Sequence, residues 1–152
     1  MDPDECQLGG RRFGCDMHPK KRRMKMHSGW DLQARPPGNP NLRSIGEGVI
    51  TKAGRLSPIC GNGVQIQLKT GLYVYYCHMS QVEKFKAGDP VGAGQTLGRM
   101  GQSGVCAGPH LHFVMATCPE IGEKCVVDPA DYLNPADVCK QALPDRTQGK
   151  RC

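Results

Sequence analysis

Five histidines, at positions 18, 27, 78, 110 and 112, are the residues of this 152-residue chain best suited to metal or acid–base chemistry. In His110-Leu111-His112-Phe113, strand alternation puts His110 and His112 on one face and Leu111 and Phe113 in the core on the other. Two imidazoles spaced about 6–7 Å along a strand can serve one metal site, one ligating while the other stands beside it. His27-Ser28-Gly29-Trp30-Asp31 supplies a second pair. Gly29 favours a tight turn entering a short strand over a helix, and such a turn brings imidazole and carboxylate toward one point. Nitrogen and oxygen donors of this kind suit zinc. His78 closes the segment Leu72 to Met79. There Leu72, Val74, Tyr76 and His78 share one face, and Tyr73, Tyr75, Cys77 and Met79 share the other.

These residues need a rigid frame, and the sequence predicts a mainly β one. Twenty glycines and twelve prolines argue for many turns and short strands. Val64, Ile66 and Leu68 alternate with Gln65, Gln67 and Lys69, the pattern of a half-buried strand. Lys69-Thr70-Gly71 is a turn joining it to the next strand in a hairpin. Thr96 to Met100 and His110 to Ala116 read as later strands, residues 35–47 as a loop, and Gly48 to Ala116 holds no amphipathic helix. The expectation is a single domain built on an antiparallel sheet.

Nine cysteines without a C-x-x-C pair favour disulfides and an oxidising compartment over a cysteine-bound metal. Proximity in sequence suggests Cys6–Cys15, Cys118–Cys125 and Cys139–Cys152, with Cys60 and Cys106 left to bridge two loops. An odd count leaves a thiol over, and Cys77, facing away from His78, is the candidate. The net charge of +6 includes the run Lys20 to Lys25. With no aromatics interleaved, that run reads as solvated surface or a mild attraction to an anionic envelope, and no nucleic acid is expected. No apolar run approaches the ~20 residues of a bilayer span. The acidic, polar start Met1 to Glu5 is not a secretory signal, so the expected periplasmic or secreted placement implies a signal or upstream region absent from this chain, or another route of export.

Together these fragments resemble the lysostaphin-like (LytM-type) family of zinc metallopeptidases that cut peptidoglycan. The resemblance runs from Phe13 to Leu133. It rests on His27-Ser28-Gly29-Trp30-Asp31, Tyr75-Tyr76-Cys77-His78-Met79, Gly88-Asp89-Pro90-Val91, Gly94-Gln95-Thr96-Leu97-Gly98 and, most specifically, Gly108-Pro109-His110-Leu111-His112-Phe113. Cys106 and Ala107 depart from it, standing where small hydroxyl residues are common, and Val114 stands where Glu is common.

The resemblance implies Zn2+ held by His27, Asp31 and His112, with His78 and His110 off the metal and catalytic. It implies an antiparallel sheet flooring a groove walled by long loops, in a metallopeptidase domain at 13–133 between an extension at 1–12 and a tail at 134–152. It implies a monomeric endopeptidase acting on peptide cross-links of peptidoglycan, of the D-alanyl-diaminopimelate type. Glycyl-glycine bridge cleavage, or non-catalytic activation of other wall hydrolases, are the alternatives. His18 either reaches the groove rim or packs at the surface, and Trp30 is expected in the core.

Overall fold

In a computed structural model, residues 3–18, 23–34, 40–145 and 147 are described, without the side chains of 16–18 and 23–25. The run Lys20 to Lys25 and the side chain of His18 therefore lie outside the described residues, as do residues 35–39 of the expected loop.

The described residues form fourteen strands: β1 (Cys6–Leu8), β2 (Gly14–His18), β3 (Arg23–His27), β4 (Trp30–Ala34), β5 (Asn41–Arg43), β6 (Gly48–Ser57), β7 (Gly61–Leu68), β8 (Tyr73–Cys77), β9 (Met79–Val82), β10 (Pro90–Val91), β11 (Thr96–Met100), β12 (Leu111–Ala116), β13 (Val126–Val127) and β14 (Gln141–Ala142). Among the described residues helix is confined to a 3-10 turn at Pro129–Asp131 and one turn, α1 (Pro135–Val138). Asp128 and Asn134 cap these by accepting from Ala130 N and Ala136 N.

The main sheet has nine strands, ordered β10-β6-β7-β8-β12-β4-β1-β14 with β13 on β12. Its pairings are antiparallel except β1 with β14. A three-stranded sheet, β5-β11-β9, and the hairpin β2-β3 complete the fold. The β7–β8 hairpin turns through Gly71 at φ 92°, whose N–H donates to Leu68 O. Part of the expected loop at 35–47 is strand, because β5 pairs with β11.

Alternation along the strands sends side chains to two cores. Trp30, Leu32, Ile66, Val74, Tyr76, Leu111, Phe113 and Met115 belong to one cluster. Phe13, Cys60, Tyr75, Cys77, Val114 and Ala116 belong to the other. With both faces covered, β7 is not the half-buried strand its pattern predicts. Gln65 is fully buried, its Oε1 accepting from Thr51 Oγ1 at 2.8 Å and its Nε2 donating to Pro119 O at 2.8 Å. The apolar alternation hides this, because a buried glutamine with both ends bonded costs little.

Three bridges join described cysteines: Cys6–Cys139, Cys60–Cys77 and Cys118–Cys125. Cys15 is also disulfide-bonded, and Cys106 is the free thiol among the described residues. Only the Cys118–Cys125 pairing follows sequence proximity. The expected Cys6–Cys15, Cys139–Cys152 and Cys60–Cys106 bridges are replaced, and Cys77 is not the spare thiol. The reason is topological. β1 lies beside β14, with α1 at the approach to it, so Cys6 meets Cys139, 133 positions away.

That bridge closes nearly the whole chain into one loop, which most restricts the unfolded ensemble. Replacing Cys6 and Cys139 together with serine is expected to cost about 2–5 kcal/mol, read as a lower urea midpoint with a steeper slope, because the denatured chain without the bridge exposes more surface.

Candidate metal centre

The register of the main sheet builds the site. His112 on β12 sits directly opposite Asp31 on β4, and opposite Cys77 on β8. Asp31 lies between Trp30 and Leu32, which point to the first core, so its carboxylate points to the face of the second. His27 ends β3, and Gly29 carries the chain from it to β4. A Cβ on Gly29 would stand 2.1 Å from Phe113 O, so only glycine lets this turn pack against β12. His110 precedes β12 in an isolated bridge with Gly101.

His78 arrives by a different route from the one the alternation predicts. The strand stops at Cys77, and His78 adopts φ 64°, the one positive φ among described non-glycine residues. Its N–H donates to Cys60 O at 2.8 Å and its Nδ1 to Ser103 O at 2.7 Å. Cys77, rather than lying on the far face, shares the site's face beside His112. His78 returns to that face because its backbone leaves the extended region, held by the Cys60 and Ser103 carbonyls.

Asp31 Oδ1 lies 3.0 Å from His112 Nδ1, 3.2 Å from His27 Nε2 and 3.5 Å from His110 Nε2. One ligand atom from each of His27, Asp31 and His112 fits within 4.8 Å of the other two. The His78 ring centroid is 4.8 Å from that of His110 and 6.0 Å from that of His112. Thus the structure brings together four of the five histidines and Asp31. Trp30 is in the core, 1% exposed.

The far nitrogen of each ring fixes what the near one offers. A backbone carbonyl only accepts, so His27 Nδ1 donates to Arg12 O at 2.9 Å, leaving Nε2 as a lone pair toward Asp31. In the same way His78 Nδ1 donates to Ser103 O and His110 Nδ1 to Gly108 O at 2.9 Å, leaving both Nε2 atoms as lone pairs. His112 Nε2 has Ser28 Oγ at 3.0 Å to receive its proton. The outer contacts of His27 and His112 are those of metal ligands, whose second nitrogen is typically tied to a carbonyl or hydroxyl. Two imidazole nitrogens at about 2.0 Å and a carboxylate oxygen at about 2.1 Å from a tetrahedral ion stand roughly 3.3 Å apart, close to the 3.0 and 3.2 Å edges found. The donor set fits a divalent cation.

Burial acts to raise the Asp31 pKa, but the hydrogen bonds and charges of His112 and His27 outweigh it and hold the carboxyl well below the usual carboxylate range. Burial lowers both His78 and His112, against the Ser103 carbonyl in one case and Asp31 in the other. The site opens on a cleft of about 410 Å³ lined by Gly9, Gly10, Arg11, Gln33, Leu143 and Pro144 as well as Asp31 and His110.

Sequence reasoning missed Ser28, the Arg12, Ser103 and Gly108 carbonyls, and Cys106, whose Sγ is 3.3 Å from His110 Nδ1. Ser28 is adjacent to His27 and could have been suspected. The carbonyls have no side-chain signal. Cys106 stood four positions before His110 but had been assigned to a bridge.

The profile of peptidase family M23 matches residues 25–129. The DD-carboxypeptidase/endopeptidase Mpg of Neisseria meningitidis is 37% identical over 101 residues, 66% of this chain and 22% of that protein. The chain thus spans about a fifth of the length of such curated relatives. Among solved structures, the catalytic domain of the antimicrobial peptidase lysostaphin from Staphylococcus simulans superposes with a TM-score of 0.67 at 26% identity, covering 82% of this chain and 90% of that one. A zinc-containing peptidase from Vibrio cholerae superposes with a TM-score of 0.60 at 26% identity, covering 82% of this chain and 37% of that one.

With cation removed by a chelator, His78 and His112 bind fewer protons folded than unfolded. Stability from this source is fully present above the unfolded value of 6.5 and is lost as pH falls through it toward the lower folded values. Asp31 stays ionised across that window. The urea midpoint of the chelated chain should drop between pH 8 and 5, and less so in His112→Asn.

Proposed function

Since the chain belongs to peptidase family M23, we propose that it is a zinc-dependent endopeptidase that hydrolyses peptide cross-links of peptidoglycan, at the D-alanyl-diaminopimelate bond. The observation that carries this reading is the convergence of His27, Asp31 and His112 within 4.8 Å, flanked by two further imidazoles. The name of the Neisseria relative supports a DD-type bond, and the zinc-containing Vibrio peptidase supports the metal. The disulfides favour a place outside the cytoplasm, and no helix among the described residues is long and apolar enough to cross a membrane.

In this reading His27 Nε2, Asp31 Oδ1 and His112 Nδ1 hold the zinc. When bound, the ion supplies Lewis acidity toward a scissile amide and toward water at neutral pH. His110 Nε2 presents a lone pair at the cleft, and His78, its ring 4.8 Å from that of His110, keeps one on its own Nε2, because their Nδ1 protons are engaged by backbone carbonyls. Either ring accepts a proton from the attacking water and returns it to the leaving amine. Such assistance is typically worth about 10²–10⁴-fold. Burial keeps His78 neutral at and below its ordinary value of 6.5, so it is a proton acceptor at neutral pH. The backbone carbonyls of Arg12, Ser103 and Gly108 hold the rings in orientation without entering the reaction.

His78→Ala and His110→Ala are each expected to lower turnover of purified peptidoglycan by about 10²-fold or more while zinc stays near one per chain by elemental analysis. His112→Ala and Asp31→Ala should lose the zinc. Zinc lost from the first pair and kept by the second would overturn the assignment. Mass spectrometry of two defined muropeptides, one directly cross-linked and one glycine-bridged, should show cleavage of the first; cleavage of the second alone would refute the bond assignment. If His78 is the acceptor, the acid limb of the turnover profile should lie below pH 6.5, since a lowered value preserves the neutral ring on acidification.

A further inference from the structure

Cys106 sits on the loop that leads to His110, half-buried and outside every disulfide. One ligand atom from each of His78, Cys106 and His110 fits within 4.8 Å of the other two. This group shares no residue with His27, Asp31 and His112. We propose that His78, Cys106 and His110 form a second cation site beside the first, selective for thiophilic ions.

The donor chemistry is distinct from that of the first site. Two imidazoles and a carboxylate accept hard and borderline cations alike, whereas a thiolate with two imidazoles favours soft and borderline ions over magnesium or calcium. The geometry suits such an ion. A thiolate at about 2.3 Å and an imidazole nitrogen at about 2.0 Å from a tetrahedral ion stand roughly 3.5 Å apart, and Cys106 Sγ lies 3.3 Å from His110 Nδ1. His78 Nε2 carries its lone pair because Nδ1 is spent on Ser103 O. The three ligands come from a strand junction and one loop, and they leave a fourth position for solvent.

Without a cation, two donors compete for one acceptor. The Cys106 thiol donates to Gly108 O at 2.7 Å, and His110 Nδ1 donates to the same oxygen at 2.9 Å. Binding replaces both bonds. The thiol proton leaves to solvent, and the imidazole proton moves from Nδ1 to Nε2. There Asp31 Oδ1, 3.5 Å away, can receive its hydrogen bond. Occupancy therefore engages the His78 Nε2 lone pair and turns His110 Nε2 from an acceptor into a donor. On the hydrolase reading, and only on it, the second ion is inhibitory, because both off-metal rings lose the atom that takes a proton.

The test adds Co2+ to protein carrying one zinc per chain and follows the near-ultraviolet thiolate-to-cobalt charge-transfer band, a signal the first site, which has no sulfur donor, cannot give. The band should appear at saturation with one thiolate per chain. It should be absent in Cys106→Ser, and its half-saturation point should rise at least tenfold in His78→Asn. Elemental analysis showing one zinc retained in each variant would confirm that the fold and first site are intact. Absence of the band in the parent protein, its persistence in Cys106→Ser, or an unchanged half-saturation in His78→Asn would overturn the proposal; the last would mean that the thiol alone holds the ion. Turnover followed in the same titration separates the two readings. A fall that tracks the band supports both, while a band with no fall leaves the site standing and counts against proton transfer by His78 and His110.

Discussion

Electron-rich atoms crowd around Asp31 Oδ1: the nitrogens of His112, His27 and His110 lie at 3.0, 3.2 and 3.5 Å. Left as neutral rings with a bare carboxylate, at least the His27 and His110 contacts set lone pair against lone pair. A metal ion placed among these atoms turns that repulsion into coordination. Everything else in the neighbourhood keeps the crowding in place. Carbonyls of Arg12, Ser103 and Gly108 hold three rings by their outer nitrogens, and the Ser28 hydroxyl stands at the fourth. Nothing in this set can rotate to escape without breaking a buried hydrogen bond.

The sheet provides the stiffness this requires. Asp31 and His112 are cross-strand neighbours on β4 and β12, whose other faces carry Trp30 and Phe113 into the core. A one-residue slip of register would move the carboxylate to the wrong face and expose those aromatics to water, so the hydrophobic pattern that folds the sheet also aligns two site residues. The third, His27, depends on a contact of another kind: the absence of a side chain at Gly29, which lets the turn lie against the Phe113 carbonyl.

What could be read from the chain follows from how local each cause is. His110 and His112 were visible because a period of two decides a face. His27 and Asp31 were visible because a glycine between them forces a turn. The β7–β8 hairpin and β11 were visible for the same reason. The face of Cys77 was not, since alternation assumes an unbroken strand and His78 departs from it at φ 64°. Nor was the burial of Gln65, whose partners lie on β6 and at Pro119. Disulfide pairing failed where strands distant in sequence became neighbours, as with Cys6 and Cys139, and held at Cys118 and Cys125, seven residues apart. The roles proposed for the five residues rest on the family likeness, since spacing alone leaves them open.

The two ends of the chain are fastened together by β1, β14 and the Cys6–Cys139 bridge, and between them they line one side of the cleft with Gly9, Gly10, Arg11, Leu143 and Pro144. All of these lie outside residues 25–129, the span common to the family. The His27, Asp31 and His112 cluster and much of its rim thus belong to different stretches of the polypeptide. Changes at residues 9–11 and 143–144 would recast the rim while leaving His27, Asp31 and His112 as they are, and grafting those stretches from one relative onto another would be a compact way to alter what the cleft admits.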